Sequence, residues 1–308
     1  QWHYPLLHLP EAWAITTGDD SVIVAVIDTG ETAHPDLAGR QITGYDFISN
    51  ATIAADGDGR DADPTDVGDG NGVQPSSFHG THVAGTIAAA TNNATGVAGV
   101  TWFGKVMHLR ALGVGGGSDF DIANAIRYAA RLTNASGLLP AQKANVINMS
   151  LGGAGSNSTM QSAITAAREQ NVVIFAAAGN ENTSTPSYPA SYTGVISVAA
   201  VDSNANRAPY SNFGSTVDVA APGGDTSVDL DHDGYADGVL STLMDDSGAS
   251  LTPIFAFYQG TSMACPHAAG VAALMLAVDP TLTPAEIETI LKDTATDLGT
   301  PGRDDLYG

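Results

Sequence analysis

One cysteine, Cys265, stands in 308 residues. No disulfide can form within the chain, so its long surface loops must be held by other means. Cys265 itself is expected to be a small buried packing residue rather than a reactive thiol. Basic residues are also scarce, with 11 Lys and Arg against 33 Asp and Glu and a formal charge of −22 at pH 7. That balance argues against nucleic acid and anionic membranes as partners, because both favour a cationic face. It suits a solvated acidic surface or one that holds cations. No apolar run reaches the ~18 residues of a membrane span. No basic-apolar-small leader opens the chain, and QWHYPLLHLPEAW reads as the start of a mature protein. Neither a repeat nor a linker is visible, which predicts one domain over residues 1–308.

An apolar share of 43% is enough to fill a sizeable core. SVIVAVID, KVMHLRAL, ANVINMS, NVVIFAAAG, GVISVAAV and STVDVAAP are strand-like, and helical patterns at 80–90, 120–133 and 158–170 lie between several of them. Strands apolar on both faces and separated by helices predict a parallel, doubly wound α/β sheet. In such sheets ligands bind at the carboxyl ends of the strands. Three polar residues fall there: Asp28 after VIVAVI, Ser150 after NVINM and Asn180 after VVIFAAAG.

The segment GTSMACPH, 260–267, carries the most chemistry. After Ser262 the chain continues as a small-residue apolar helix, with Pro266 expected in its first turn, where a missing N–H costs nothing. A hydroxyl at a helix N-terminus lies where the dipole and free N–H groups favour developing negative charge. A serine in that place is more often a plain N-cap, so the other polar residues must decide. Asp28 ends a buried run, where a carboxylate is costly without a partner. His79 opens a second small-residue helix, HGTHVAGTIAA. Asp, His and Ser gathered at one sheet edge are the parts of an acyl-transfer triad, and Asn180 adds an amide donor for the oxyanion. His79 and His82 lack the HExxH pattern of zinc peptidases, and no GxSxG surrounds Ser262. His267 reads as a packing and hydrogen-bonding residue.

In this order, VIDTG, HGTHVAG, SLGG, AAGN and GTSMACPH resemble the signature blocks of the subtilisin-like serine proteases, from about residue 10 to residue 307. The resemblance implies a three-layer α/β/α sandwich and a secreted, monomeric endopeptidase of broad specificity. Its partners would be protein and peptide substrates and a pro-peptide of its own precursor. Asp28, His79 and Ser262 would be the triad, with Asn180 in the oxyanion hole. Leu112, Gly113, Gly115, Gly116 and Gly117 resemble one edge that pairs with substrate backbone, and Ser150, Leu151, Gly152 and Gly153 the opposite edge. Ala177, Ala178 and Gly179 would wall the P1 pocket. Ser187, where the family often has glycine, would make that pocket shallower. Glu181 would either sit at its mouth and favour cationic or polar side chains, or be solvated surface. An idle scaffold of the same fold, and a ligase or esterase using the same triad, are the competing readings.

Calcium is the implied cofactor. HPDL and ATNNATGV resemble two halves of a family calcium site, with side-chain oxygens from Asp36 and Asn93, carbonyls from Thr91, Thr95 and Val97, and Gln1 closing the shell. Two acidic insertions, 56–72 and 225–238, add further candidates. Asp56, Asp58, Asp61, Asp63, Asp66 and Asp69 are spaced as hard oxygen ligands. Asp229, Asp231 and Asp233 open like a calcium loop, although Leu240 stands where that loop needs Glu. Carboxylates crowded this densely repel one another without a cation, which favours calcium over a merely solvated loop.

Overall fold

The computed structural model describes all residues except Val73, Asp231 and Ala249. Two short helices, α1 (His3–Leu6) and α2 (Leu9–Trp13), precede β1 (Gly18–Asp28). There follow β2 (Gln41–Asp46), a one-turn α3 (Ala51–Ala54), α4 (His79–Ala88), β3 (Phe103–Arg110), α5 (Asp119–Ala129), β4 (Val146–Met149) and α6 (Ser158–Glu169). The chain continues through β5 (Val173–Ala177), β6 (Ile196–Val201) and β7 (Val219–Pro222). A hairpin of β8 (Val239–Asp245) and β9 (Thr252–Tyr258) leads to α7 (Thr261–Val278) and α8 (Pro284–Thr294).

β1 shows why the sheet is doubly covered. Successive side chains of a strand point to opposite faces, and here both sets are apolar. Val22, Val24 and Val26 enter a core shared with α4 and α7, while Ile23, Ala25 and Ile27 enter one shared with α5 and α6. All seven strands of the sheet are parallel, in the order β2-β3-β1-β4-β5-β6-β7, and β8 and β9 form a separate antiparallel pair. This is the α/β/α sandwich expected, with β2 and the β8–β9 hairpin in addition.

By length and composition alone α7 is apolar enough to cross a membrane, which corrects the reading that no such run exists. It is instead a core helix, 72% buried. Its small residues Ala264, Ala268, Ala269 and Ala272 are nearly inaccessible. Pro266 stands inside this helix rather than in its first turn. A proline there removes one backbone bond to the carbonyl four residues earlier, and that carbonyl belongs to Ser262.

Candidate active site

Asp28, the last residue of β1, is fully buried. Both its oxygens face His79, whose Nδ1 lies 2.8 Å from Oδ1 and 2.9 Å from Oδ2. Thr29 N–H donates to Oδ1 at 2.8 Å. His79 is the first residue of α4, and the capping position before it is Phe78 at φ 44°, ψ 38°. A left-handed conformation is costly for a bulky aromatic. Phe78 is retained there because its ring is buried with Leu243 and Met244. Burial alone would depress the His79 pKa. The Asp28 carboxylate, together with Asp69 and Asp66, outweighs it, and the imidazole is raised above its ordinary value.

Ser262 is the second residue of α7, and the capping position is Gly260, so the plain N-cap reading of Ser262 does not hold. Its hydroxyl donates to the Ser150 carbonyl at 3.1 Å, and the Ser150 hydroxyl donates to the Ser262 carbonyl at 2.7 Å. The second bond occupies the carbonyl that Pro266 leaves without its helical partner. Among the described residues no hydrogen bond joins Ser262 to His79. Unliganded sites often hold such pairs apart until substrate arrives.

Asn180, three residues beyond β5, is oriented by Thr261. Its Oδ1 accepts Thr261 N–H at 2.9 Å and Thr261 Oγ–H at 3.0 Å, which leaves the Nδ2 donors facing outward. A methyl group placed on Gly260 would lie 3.6 Å from Ser262 N and 3.7 Å from Asn180 Nδ2. The two N–H donors therefore border one small space beside Gly260.

A cleft of about 670 Å³ runs from His79 between two walls. Leu112, Gly113, Gly115, Gly116 and Gly117 form one wall, and Ser150, Leu151, Gly152 and Gly153 the other. Not every backbone group in these walls is free. Gly113 and Gly116 exchange both N–H···O bonds in a tight turn, and Gly153 does the same with Tyr188. Ala177, Ala178, Gly179 and Ser187 do not line this cleft, although a methyl on Gly152 would meet Ser187 Oγ at 3.0 Å and Ala177 O at 4.0 Å. Glu181 does not line it either; its carboxylate accepts from Asn212 Nδ2 at 2.7 Å.

Comparison with known proteins agrees with this geometry. The model of the subtilase family, a peptidase family, matches residues 19–308. The chain belongs to the subtilase family. An extracellular protease of Xanthomonas campestris is 48% identical over 301 residues, which cover 94% of this subtilase and 50% of the relative. Thermitase of Thermoactinomyces vulgaris is 38% identical over 271 residues, 87% of this chain and 79% of that protein. A solved structure of a protease from Pseudoalteromonas arctica superposes with a TM-score of 0.90 at 48% identity, covering 96% of this chain and 90% of the other. The subtilase chain spans half the length of the Xanthomonas relative and half that of an extracellular basic protease of Dichelobacter nodosus.

The candidate cation ligands of this subtilase separate into two groups. Gln1, Asp36, Asn93 and Val97 come together. Asp36 is buried, and its carboxylate accepts from Asn93 Nδ2 at 2.9 Å and Val97 N at 2.9 Å; among the described residues no lysine or arginine forms an ion pair with it. Gln1 Oε1 accepts Ala98 N–H at 2.8 Å, and Thr95 N–H closes on Asn93 Oδ1 at 3.0 Å. Thr91 braces the loop, donating to Ala89 O and accepting from Gly99 N–H.

The 56–72 insertion is organised otherwise. Arg110, fully buried at the end of β3, pairs with Asp46 at 2.5 Å and also binds Asp56 and the Ala54 carbonyl. Asp66 accepts from Thr29 Oγ at 2.5 Å and from Gly68 N–H at 2.8 Å. Both oxygens of Asp69 accept from Ser77. Asp61 and Asp63 accept backbone N–H groups of their own loop, from Asp63 and Thr65, and Asp58 donates its N–H to Asp56. Among the described residues no three His, Cys, Asp or Glu side chains are set to hold a metal ion. In this loop the carboxylates are met by an arginine and by N–H and O–H donors. In the second insertion, Asp229 accepts Gly234 N–H and Asp233 accepts Tyr235 N–H, while Asp231 lies outside the described residues.

Proposed function

We propose that this chain is the catalytic domain of a serine endopeptidase that acts outside the cell on extended protein segments, with broad specificity. The observation that carries the proposal is the buried Asp28 carboxylate spanning His79 Nδ1 through both oxygens. That contact fixes the imidazole with its Nδ1–H toward Asp28 and its Nε2 lone pair toward the cleft. Rotation of the Ser262 side chain away from Ser150 delivers its hydroxyl to Nε2. As Oγ attacks the scissile carbonyl, Nε2 takes the proton, and the new oxyanion accepts from Asn180 Nδ2 and Ser262 N–H. Collapse breaks the C–N bond, the imidazolium returns its proton to the leaving amine, and water then releases the acyl group by the same route. The relatives named as extracellular proteases support the setting.

A fluorophosphonate probe is expected to label wild-type protein on Ser262, while the Ser262→Ala variant is expected to stay unlabelled and to leave an unfolded protein substrate intact. Labelling or wild-type turnover by Ser262→Ala removes the proposal.

For the cofactor we propose calcium at Gln1, Asp36, Asn93 and the carbonyls of Thr95 and Val97. A buried carboxylate without a cationic partner beside amide and carbonyl oxygens is the donor chemistry calcium takes. A bound ion would hold the N-terminal segment to the 92–97 loop. With free calcium a thousandfold above Kd, binding adds about 4 kcal/mol to stability. Excess EGTA is therefore expected to lower the unfolding temperature of the Ser262→Ala protein, and Asp36→Asn is expected to remove that sensitivity. Coincident melting curves with and without EGTA contradict the site.

A further inference from the structure

We propose that Asp69 makes the cleft select a cationic side chain, lysine or arginine, at P2, the substrate residue immediately before the one whose carbonyl is attacked. This rests on the endopeptidase reading and adds a substrate class to it.

Asp69 belongs to the acidic insertion, yet it lines the same cleft as Ser77, His79 and Leu112. Its carboxylate is held in place, with Oδ1 accepting Ser77 N–H at 2.6 Å and Oδ2 accepting Ser77 Oγ–H at 2.8 Å. Both donors are neutral. Among the described residues no lysine, arginine or histidine forms an ion pair with Asp69, so its charge is fixed in position but not cancelled. The cleft is lined by two carboxylates, Asp69 and Asp119, and by no lysine or arginine. That field already acts on one neighbour, because Asp69 is among the charges that raise His79.

Substrate geometry then assigns the position. A peptide lying extended between the two walls sends successive side chains to opposite sides. With the P1 side chain entering beside Gly152, next to Ser187 and Ala177, as the family resemblance implies, the next position is fixed by alternation. At P2 the side chain points to the other side, to the wall of His79, Leu112 and Asp69. An ammonium or guanidinium there meets an uncompensated carboxylate in a partly dehydrated cleft, where charge pairing is stronger than on an open surface.

The test is kcat/KM for matched peptides carrying lysine, norleucine or glutamate at P2, with wild type, Asp69→Asn and Asp119→Asn. Wild type is expected to prefer lysine over norleucine and norleucine over glutamate. Asp69→Asn is expected to lower the lysine-to-norleucine ratio roughly five- to tenfold, and Asp119→Asn to preserve it. The ratio is internal to each variant, so lost folding or lost turnover cancels. An unchanged ratio in Asp69→Asn, with all three peptides still cleaved, overturns the proposal. So does a ratio that collapses only in Asp119→Asn. Failure of wild type to cleave any peptide strikes the endopeptidase reading instead. If Asp69→Asn does not fold, the salt dependence of the wild-type ratio decides: a charge contact weakens as salt rises, and a ratio indifferent to salt overturns the assignment.

Discussion

Asp46, Arg110 and Asp28 occupy one row across the ends of β2, β3 and β1, as register partners. Both aspartates are fully buried at the end of a strand. They differ in the cation each is given. Asp46 has a guanidinium, which keeps its charge at any pH a protein meets, and the same guanidinium binds Asp56 and the Ala54 carbonyl. Asp28 has an imidazole, which releases and takes protons near neutrality. Two similar carboxylates thus serve different ends. The guanidinium pair fastens the acidic insertion to the sheet, although burial pushes the Asp46 carboxyl up to about 7, and the imidazole pair is equipped to move a proton.

Substitutions at the two cations break the comparison. His79→Ala is expected to lower kcat by up to about a millionfold, nearly as much as Ser262→Ala, because the two act as one unit. Its cost in stability is expected to be the smaller of the two cation substitutions, because the imidazole is partly exposed and the Asp28 carboxylate keeps the Thr29 N–H. Arg110→Met is expected to do the reverse. In the Ser262→Ala background it leaves buried Asp46 without its cation, with only the Ile48 N–H, and costs about 3–5 kcal/mol of stability, read by denaturant unfolding. Equal loss of stability from both changes would end the division of labour. Asn180→Ala sharpens the catalytic half: kcat is expected to fall roughly a hundred- to a thousandfold while KM hardly moves, since the donor meets charge only in the transition state. A change confined to KM would place Asn180 on the ground-state substrate.

Much of this was legible in the sequence. The buried strands β1 and β3–β7 announced themselves as β-branched or small apolar runs, and the polar residues at their ends pointed to one edge. What escaped notice lacked a local signal. β2 reads QITGYD, a short mixed segment at the sheet edge with a glycine inside it. The β8–β9 hairpin buries Leu243 and Met244 against Phe78, far away in sequence. Arg110 looked like one strand-end arginine among few, and its partners lie 54 and 64 residues away. Its place at the foot of the insertion could not be read from spacing. Spacing alone cannot tell carboxylates gathered around an ion from carboxylates each given its own donor. The same holds for Asn180, whose donor face is set by Thr261, 81 residues on.

The pH dependence of Ser262 labelling by a fluorophosphonate tests the central claim most directly, because it reads the proton acceptor without substrate binding. The labelling step needs the neutral imidazole. Asp28 first, with Asp69 and Asp66 behind it, holds the His79 pKa above the ordinary 6.5 against the opposing effect of burial. The imidazole therefore stays protonated to higher pH than a free histidine, and the acid limb of the labelling rate is predicted to have its midpoint above 6.5 and to move to lower pH in Asp69→Asn. A rate independent of pH across that range, or a midpoint below 6.5, would contradict the account of an imidazole charged and aimed by Asp28.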